Sequence, residues 1–192
     1  MGKIILARHG QCKDNEKGIF NGTRDSPLTI EGMHQAHCLG EALAENFQVT
    51  MIFTSPKARA IETARMCSTP FWHVEIKTLD YLVERNHGIL EGEPYSRVRE
   101  LAEGWLTHDG FDHVTLAKGA ETYEQLYERA RLVYFQMLWE VLNLSGGHKD
   151  VLFVGHGALF RMIWAIHHGR HIEDSIRDHW KNCEYRVLTK PD

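Results

Sequence analysis

The sequence predicts an α/β fold, a three-layer sandwich in which a mostly parallel central sheet carries helices on both faces. Two observations lead there. Short apolar runs of strand length alternate with segments whose apolar residues recur at helical spacing, and turn residues fall between them. Two of those apolar runs break off into a histidine followed by a glycine, at the ends of strands where open α/β sheets place their ligands.

Taken in order, Lys3 to Ala7 is a buried strand that ends abruptly in Arg8-His9-Gly10. After the turn signals Asn21-Gly22 and Ser26-Pro27, Ala36, Leu39, Gly40, Leu43 and Phe47 mark one face of a helix. Met51-Ile52-Phe53-Thr54 is a second buried strand, followed by Ser55-Pro56 and a helix carrying Ala60, Ile61 and Ala64. Thr122 and Gln125 form a capping box for a third helix whose apolar face is Leu126, Ala130, Val133, Met137 and Val141. Gly146-Gly147 breaks the chain before the strand Val151-Leu152-Phe153-Val154. Gly155-His156-Gly157 then opens a helix with Leu159, Met162, Ile163 and Ile166 on one side, and Tyr185-Arg186-Val187-Leu188 closes the fold as a strand. Residues 93–118 are the least periodic stretch and read as an excursion covering one end of the sheet, where the active site is expected. At 192 residues the chain is expected to form one domain, 1–192.

Composition removes several classes of function. Lys and Arg total 22 against 26 Asp and Glu, a net charge of −4, and non-specific binding to nucleic acid or an anionic membrane needs a basic excess. A local cationic pocket remains compatible with that balance. No apolar run approaches the roughly 18 residues of a membrane span, and Ile4 to Ala7 is too short for a signal peptide. Cys12, Cys38, Cys67 and Cys183 form no CxxC and no framework spacing, so they read as reduced thiols in a cytoplasmic protein.

The chemistry is carried by the two strand ends. An imidazole at His9 can attack phosphorus through one ring nitrogen while a hydrogen bond to the other fixes the tautomer. Arg8 and Arg59 supply planar, permanently charged forks for phosphoryl oxygens. His156 adds a donor at a helix start whose dipole favours an anion. Other readings are weaker. His34 with His37, and His167 and His168 with His171, share helix faces and could be metal ligands, but neither HExxH nor a cysteine cluster accompanies them, so no metal is assigned. Tyr127, Tyr134 and Trp139 follow a helical pattern and read as packing, whereas Trp105 is either core of the excursion or substrate wall.

Together these pieces resemble the histidine phosphatase superfamily, also called phosphoglycerate mutase-like, over nearly the whole chain. Arg8-His9-Gly10 with Asn15 is similar to its RHG motif, and Phe20 to Thr29, with Gly32 and Ala36, is similar to its second loop. Ser55 to Ala64 resembles the helix that brings an arginine, Arg59, to the pocket. Leu82 to Gly92 resembles the segment bearing the acid/base carboxylate, Glu84, and Val154 to Gly157 the second histidine. Asn182-Cys183-Glu184 resembles the terminal hairpin. The resemblance implies a phosphohistidine at His9, a phosphate pocket of Arg8, Arg59 and His156 supported by Asn15, and phosphate or substrate contacts from Asn21, Gly22, His87 and Gly157. It also implies proton transfer by Glu84, a role that asks for a raised carboxyl pKa. No cofactor is implied, because two arginines and two histidines can do a metal's electrostatic work.

The favoured activity is that of a metal-independent phosphatase on a small phosphorylated substrate. The alternative is a cofactor-dependent phosphoglycerate mutase, and a catalytically silent binding or scaffold member is the third reading. Glu84-Arg85-Asn86-His87-Gly88 leans toward the mutases' Glu-Arg-x-Tyr-Gly, with His87 in place of Tyr. Against the mutase, residues 93–118 hold Arg97 and Arg99 but no adjacent Arg-Arg pair, and Ala158 stands where mutases have Asn. Cys12 occupies a position where the family usually has Ser or Thr. It is either a reactive thiol facing the cationic cluster or a small packed residue, and free cysteines are often buried and inert.

Overall fold

A computed structural model describes residues 2–97, 117–145 and 149–188. Its strands are β1 (Ile4–Arg8), β2 (Val49–Thr54), β3 (Glu75–Thr78), β4 (Asp150–Gly155) and β5 (Tyr185–Leu188), in the order β3-β2-β4-β1-β5. β1, β2, β3 and β4 are mutually parallel, whereas β5 runs antiparallel to β1 with Ile5 opposite Val187. The helices are α1 (Lys13–Glu16), α2 (Ile30–Asn46), α3 (Ala58–Cys67), α4 (Tyr123–Ser145), α5 (Gly157–His167) and α6 (Ile172–Ile176).

The three layers follow from the period of two along each strand. Leu6, Phe53, Val151 and Phe153 point to one face, where α4 and α5 cover them with Leu126, Val133, Met137, Leu159 and Ile163. Ile5, Ala7, Ile52, Leu152 and Val154 point to the other, where α2 and α3 supply Leu39, Leu43, Ala60 and Ala64. Strands buried on both sides need continuous apolar runs, which is why β1, β2 and β4 were legible in the sequence.

The helix ends agree with the sequence reading. Thr29 caps α2 by accepting the Gly32 N–H (3.0 Å). Before α4, Thr122 and Gln125 exchange hydrogen bonds of 2.9 and 3.1 Å. Three points differ. β3 was not foreseen, because Glu75-Ile76-Lys77-Thr78 is a short edge strand with one apolar side chain. Trp139 is not packing: it is 65% exposed, on a stripe with Leu132, Phe135 and Leu142 on the outer side of α4. In α3 it is Arg59 that is buried while Ile61 is half-exposed, because the helix turns a polar corner toward the sheet's carboxyl end.

Glu93 to Arg97 and Ala117 to Lys118 border the irregular stretch; residues 98–116, with Arg99 and Trp105, lie outside the described residues, as does Gly146-Gly147. The expectation that this stretch covers the active site therefore concerns residues not described. Among the described residues no helix is long and apolar enough to cross a membrane.

Candidate active site

β1 ends at Arg8 and the backbone of the next residue is clamped from two sides. The His9 N–H donates to the Gly155 carbonyl at the end of β4 (2.9 Å), and Asn182 Nδ2 donates to the His9 carbonyl (3.0 Å). Gly10 then approaches the start of α2 so closely that a Cβ would fall 2.5 Å from the Gly32 carbonyl oxygen. Its N–H donates to Thr63 Oγ1 (2.9 Å). Glycine is required here by space.

That fixed backbone sets the His9 tautomer. His9 Nδ1 lies 2.7 Å from the Gly10 carbonyl oxygen, and a carbonyl only accepts, so Nδ1 carries the proton. The lone pair is left on Nε2, which accepts from Arg59 Nε (3.2 Å). Burial, then the charges of Arg59 and Arg8, hold the His9 pKa well below the ordinary histidine range. The ring is therefore neutral at neutral pH, the form a nucleophile needs.

Arg59 is the hub. Only 1% exposed, it donates through NH1 to Asn21 Oδ1 (3.1 Å) and the Arg24 carbonyl (2.8 Å). Through NH2 it donates to the Gly22 carbonyl (2.8 Å) and to His156 Nδ1 (3.2 Å). Gly22 has φ +55°, and a Cβ there would meet Glu91 Oε1 at 2.1 Å, so the turn that aims its carbonyl depends on glycine. A buried guanidinium is tolerable only when so fully hydrogen-bonded.

His156, at the end of β4, lies across Arg59 from His9, with ring centroids 5.2 Å apart. Its Nδ1 accepts from Arg59, so its Nε2 carries the proton and donates to Ser55 Oγ (2.7 Å). Burial, Arg59 and His9 keep its pKa well below the usual range. Both ring nitrogens are thus engaged by protein groups, and its immediate task is to orient Arg59. The anion held at the start of α5 is also not the one expected. Glu84 Oε2 accepts the Ala158 N–H (3.1 Å), and Oε1 accepts those of Leu159 (3.2 Å) and Arg85 (2.8 Å).

Those bonds reverse the expected direction of the Glu84 shift. Desolvation pushes its carboxyl pKa up, but the Arg85 N–H, the nearby His87, the Ala158 N–H and the Arg59 charge outweigh it and hold it below the ordinary carboxylate range. Glu84 is therefore ionised at neutral pH. Oε1 has two donors and Oε2 one, so Oε2 retains a lone pair for a transferred proton.

His9, Arg8, Asn15, Asn21, Gly22, Arg59, Glu84, His87 and Gly157 all line one cavity of about 660 Å³. Of the residues expected from sequence only His156 stands behind its wall. His87 packs against Phe20 (5.3 Å between centroids), and its pKa is lowered to about 4 by burial and Arg85. Asn15 and Asn21 are tied to Cys12: its thiol donates to Asn15 Oδ1 (3.1 Å), and Asn21 Nδ2 lies 3.1 Å from the sulfur. Cys12 is fully buried, with its thiol held between two residues of the cavity lining.

Sequence reasoning missed Ser55, Thr63 and Asn182 as parts of the site, although each lies in a quoted motif. It also missed Arg161, whose signal was available: it is the only Arg or Lys in the apolar α5. Among the described residues no three His, Cys, Asp or Glu side chains gather as metal donors. His167 instead bonds Tyr134 OH (2.8 Å), and His168 stacks on Trp164 (4.2 Å).

A sheet whose carboxyl edge carries two histidines and Arg8, with Arg59 brought to it by α3, defines the phosphoglycerate mutase-like class of α/β protein. Residues 4–191 match the histidine phosphatase superfamily (branch 1), and the chain belongs to that family. It is 35% identical over 164 residues to a 2,3-bisphosphoglycerate-dependent phosphoglycerate mutase of Parvibaculum lavamentivorans, covering 83% of this chain and 77% of that protein. It is 26% identical over 166 residues to a metal-independent phosphoserine phosphatase of Arabidopsis thaliana, covering 84% and 67%. The structure of a mycobacterial glucosyl-3-phosphoglycerate phosphatase in complex with VO3 superposes with a TM-score of 0.83 at 20% identity, covering 97% of this chain and 92% of that one.

Proposed function

We propose that this enzyme hydrolyses a small phosphomonoester without a metal, by way of a phosphohistidine at His9. The observation that carries the reading is the His9 ring itself: neutral, its proton locked on Nδ1 by Gly10, its Nε2 lone pair beside Arg59. In the first half, Nε2 forms a bond to phosphorus as the ester P–O bond breaks, with Arg8 and Arg59 taking up charge on the phosphoryl oxygens. Glu84 starts ionised, so the proton that it hands to the leaving oxygen is acquired as the substrate's negative charge enters the cavity and raises its pKa. In the second half, Oε2 removes a proton from the water that attacks phosphorus, and His9 leaves as the neutral ring.

Rapid quench with labelled ester and excess chelator tests this. An acid-labile, base-stable phosphoryl group on His9, absent from His9→Ala, is the expected result. Equal labelling of that variant, or loss of turnover restored only by metal, would overturn it. The mutase reading has in its favour the 35% identity to a phosphoglycerate mutase and the mutase-like segment Glu84 to Gly88. Ala158 in place of the mutases' Asn favours water as the acceptor. Interconversion of phosphoglycerates faster than phosphate release would reverse the order.

A further inference from the structure

The cavity is larger than a phosphate needs and more cationic than the phosphate site explains. Its far wall comes from α5 and the segment Ile176 to Trp180, which contribute Arg161, Arg177 and His179. Among the described lining residues, five arginines face two carboxylates. Both carboxylates are committed elsewhere. Glu84 is held by three backbone N–H groups, and Asp178 Oδ1 accepts from Arg186 NH2 (2.8 Å) while its other oxygen takes Arg186 NH1.

Arg161 stands out within that set. Its NH1 donates to the Ile176 carbonyl (2.7 Å), which fixes the plane of the guanidinium against the wall. Its buried Nε has no hydrogen-bond partner, and no carboxylate lies within 4 Å to form an ion pair among the described residues. Burial is the main cause that lowers the pKa values of Arg8, Arg85 and His87, and the Arg161 charge adds to it, so these positive groups of the cavity repel one another. Arg8 is shared between the two ends: it lies beside His9 in sequence, and its NH1 donates to the Trp180 carbonyl on the far wall. An arginine that lines the cavity with a buried, unpartnered Nε, and with no ion-pair partner among the described residues, suits an anion, and the phosphoryl group at His9 accounts for only one end of the cavity.

We propose that the substrate carries a second anionic group, a carboxylate or a further phosphate, and that Arg161 on α5 is the principal residue of its subsite. Arg177 and His179 form the exposed rim of that subsite, and Arg8 bridges it to the phosphoryl end. This names the substrate class of the proposed phosphatase site and rests on that reading. Discrimination then comes from the wall formed by α5 and Ile176 to Trp180. A neutral alkyl phosphate leaves Arg161 with its charge unbalanced, whereas an anionic one adds charge-assisted hydrogen bonds.

The test compares two pairs of esters: a short carboxyalkyl phosphate against its amide, and an alkyl bisphosphate against its monophosphate. For the wild type, kcat/KM is expected to favour the anionic member of one pair by about 10- to 100-fold. That ratio should fall toward one in Arg161→Met and recover partly in Arg161→Lys. The ratio is unaffected by a general loss of active protein, which lowers both members alike. Arg177→Gln, in a residue away from the α5 packing, should lower the same ratio by a smaller factor. Whichever pair shows the preference tells a carboxylate from a phosphate. Titration of His9→Ala protein with the same pairs reads the preference as a Kd ratio without turnover, so the subsite is judged even if the phosphatase reading fails. Equal kcat/KM and equal Kd within both pairs, or a preference that Arg161→Met leaves intact, overturns the proposal.

Discussion

Replacing Glu84 with glutamine keeps the side chain's shape and removes both its charge and its proton. In the wild type the two carboxylate oxygens accept three backbone N–H groups, those of Arg85, Ala158 and Leu159. A glutamine oxygen in the Oε1 position keeps two of them, but its NH2 then faces the Ala158 N–H, donor against donor. One stranded N–H costs about 1–3 kcal/mol, and the lost charge at the start of α5 about 0.3–1 kcal/mol more. For a chain of this size that lowers Tm by about 3–15 °C. The kinetic consequence is separate. Because kcat/KM reports phosphoryl transfer to His9, it should fall about 10²- to 10⁴-fold for alkyl esters, whose leaving oxygen needs a proton. It should change little for a nitrophenyl ester, whose leaving group needs none. With that ester the variant should release a stoichiometric burst of nitrophenolate and then turn over slowly, because water activation is impaired. Stopped-flow absorbance and a thermal melt check both parts. An equal loss of kcat/KM for alkyl and aryl esters, without a burst, would refute the proton-transfer role.

Acid should destabilise the fold early. His9, His156 and His87 are all held below the ordinary histidine pKa, so the unfolded chain binds protons that the folded one does not. Stability is then greatest above about pH 6.5 and is lost as pH falls, His87 alone accounting for about 3 kcal/mol between pH 6.5 and its value of about 4. Glu84, whose folded pKa is depressed, adds stability that is present above its unfolded value and lost as pH falls through the folded one. Urea midpoints that stay flat from pH 7 to 5 would contradict this. Ser55→Ala removes the acceptor of the His156 Nε2 proton, loosening the group that orients Arg59. A roughly tenfold lower kcat with little change in KM is expected, and an unchanged kcat would remove Ser55 from the site. Timed iodoacetamide labelling should modify the exposed Cys38 first and the buried Cys12 slowly, with activity retained while Cys38 reacts. First labelling at Cys12, with activity falling in step, would favour its reactive reading.

The three layers are written in the local sequence, and so are most residues of the candidate site. β1, β2 and β4 are buried on both faces, so their apolar runs have no polar interruption, and the helical faces opposite them repeat at helical spacing. Arg8, His9, Arg59 and His156 were legible because each sits at a strand or helix end inside a local motif, and Glu84 because its loop carries a motif of its own. What the tertiary structure alone decided concerns groups that meet across large separations. The tautomer of His156 depends on Ser55, 101 residues away, and on Arg59, 97 residues away. The sign of the Glu84 shift was misjudged because desolvation can be inferred from an apolar neighbourhood. Of the three opposing N–H groups one is the neighbouring Arg85's, and the other two belong to the start of a helix 74 and 75 residues further on. β3 and the antiparallel direction of β5 escaped for a related reason: an edge strand buries little of its own, and its direction is set by the neighbour it pairs with. Arg161 was visible as a lone cation in an apolar helix, yet its meaning required the cavity. A charge on a solvated face needs no explanation, and only the fold shows that this one lines the cavity with no carboxylate within ion-pair distance among the described residues.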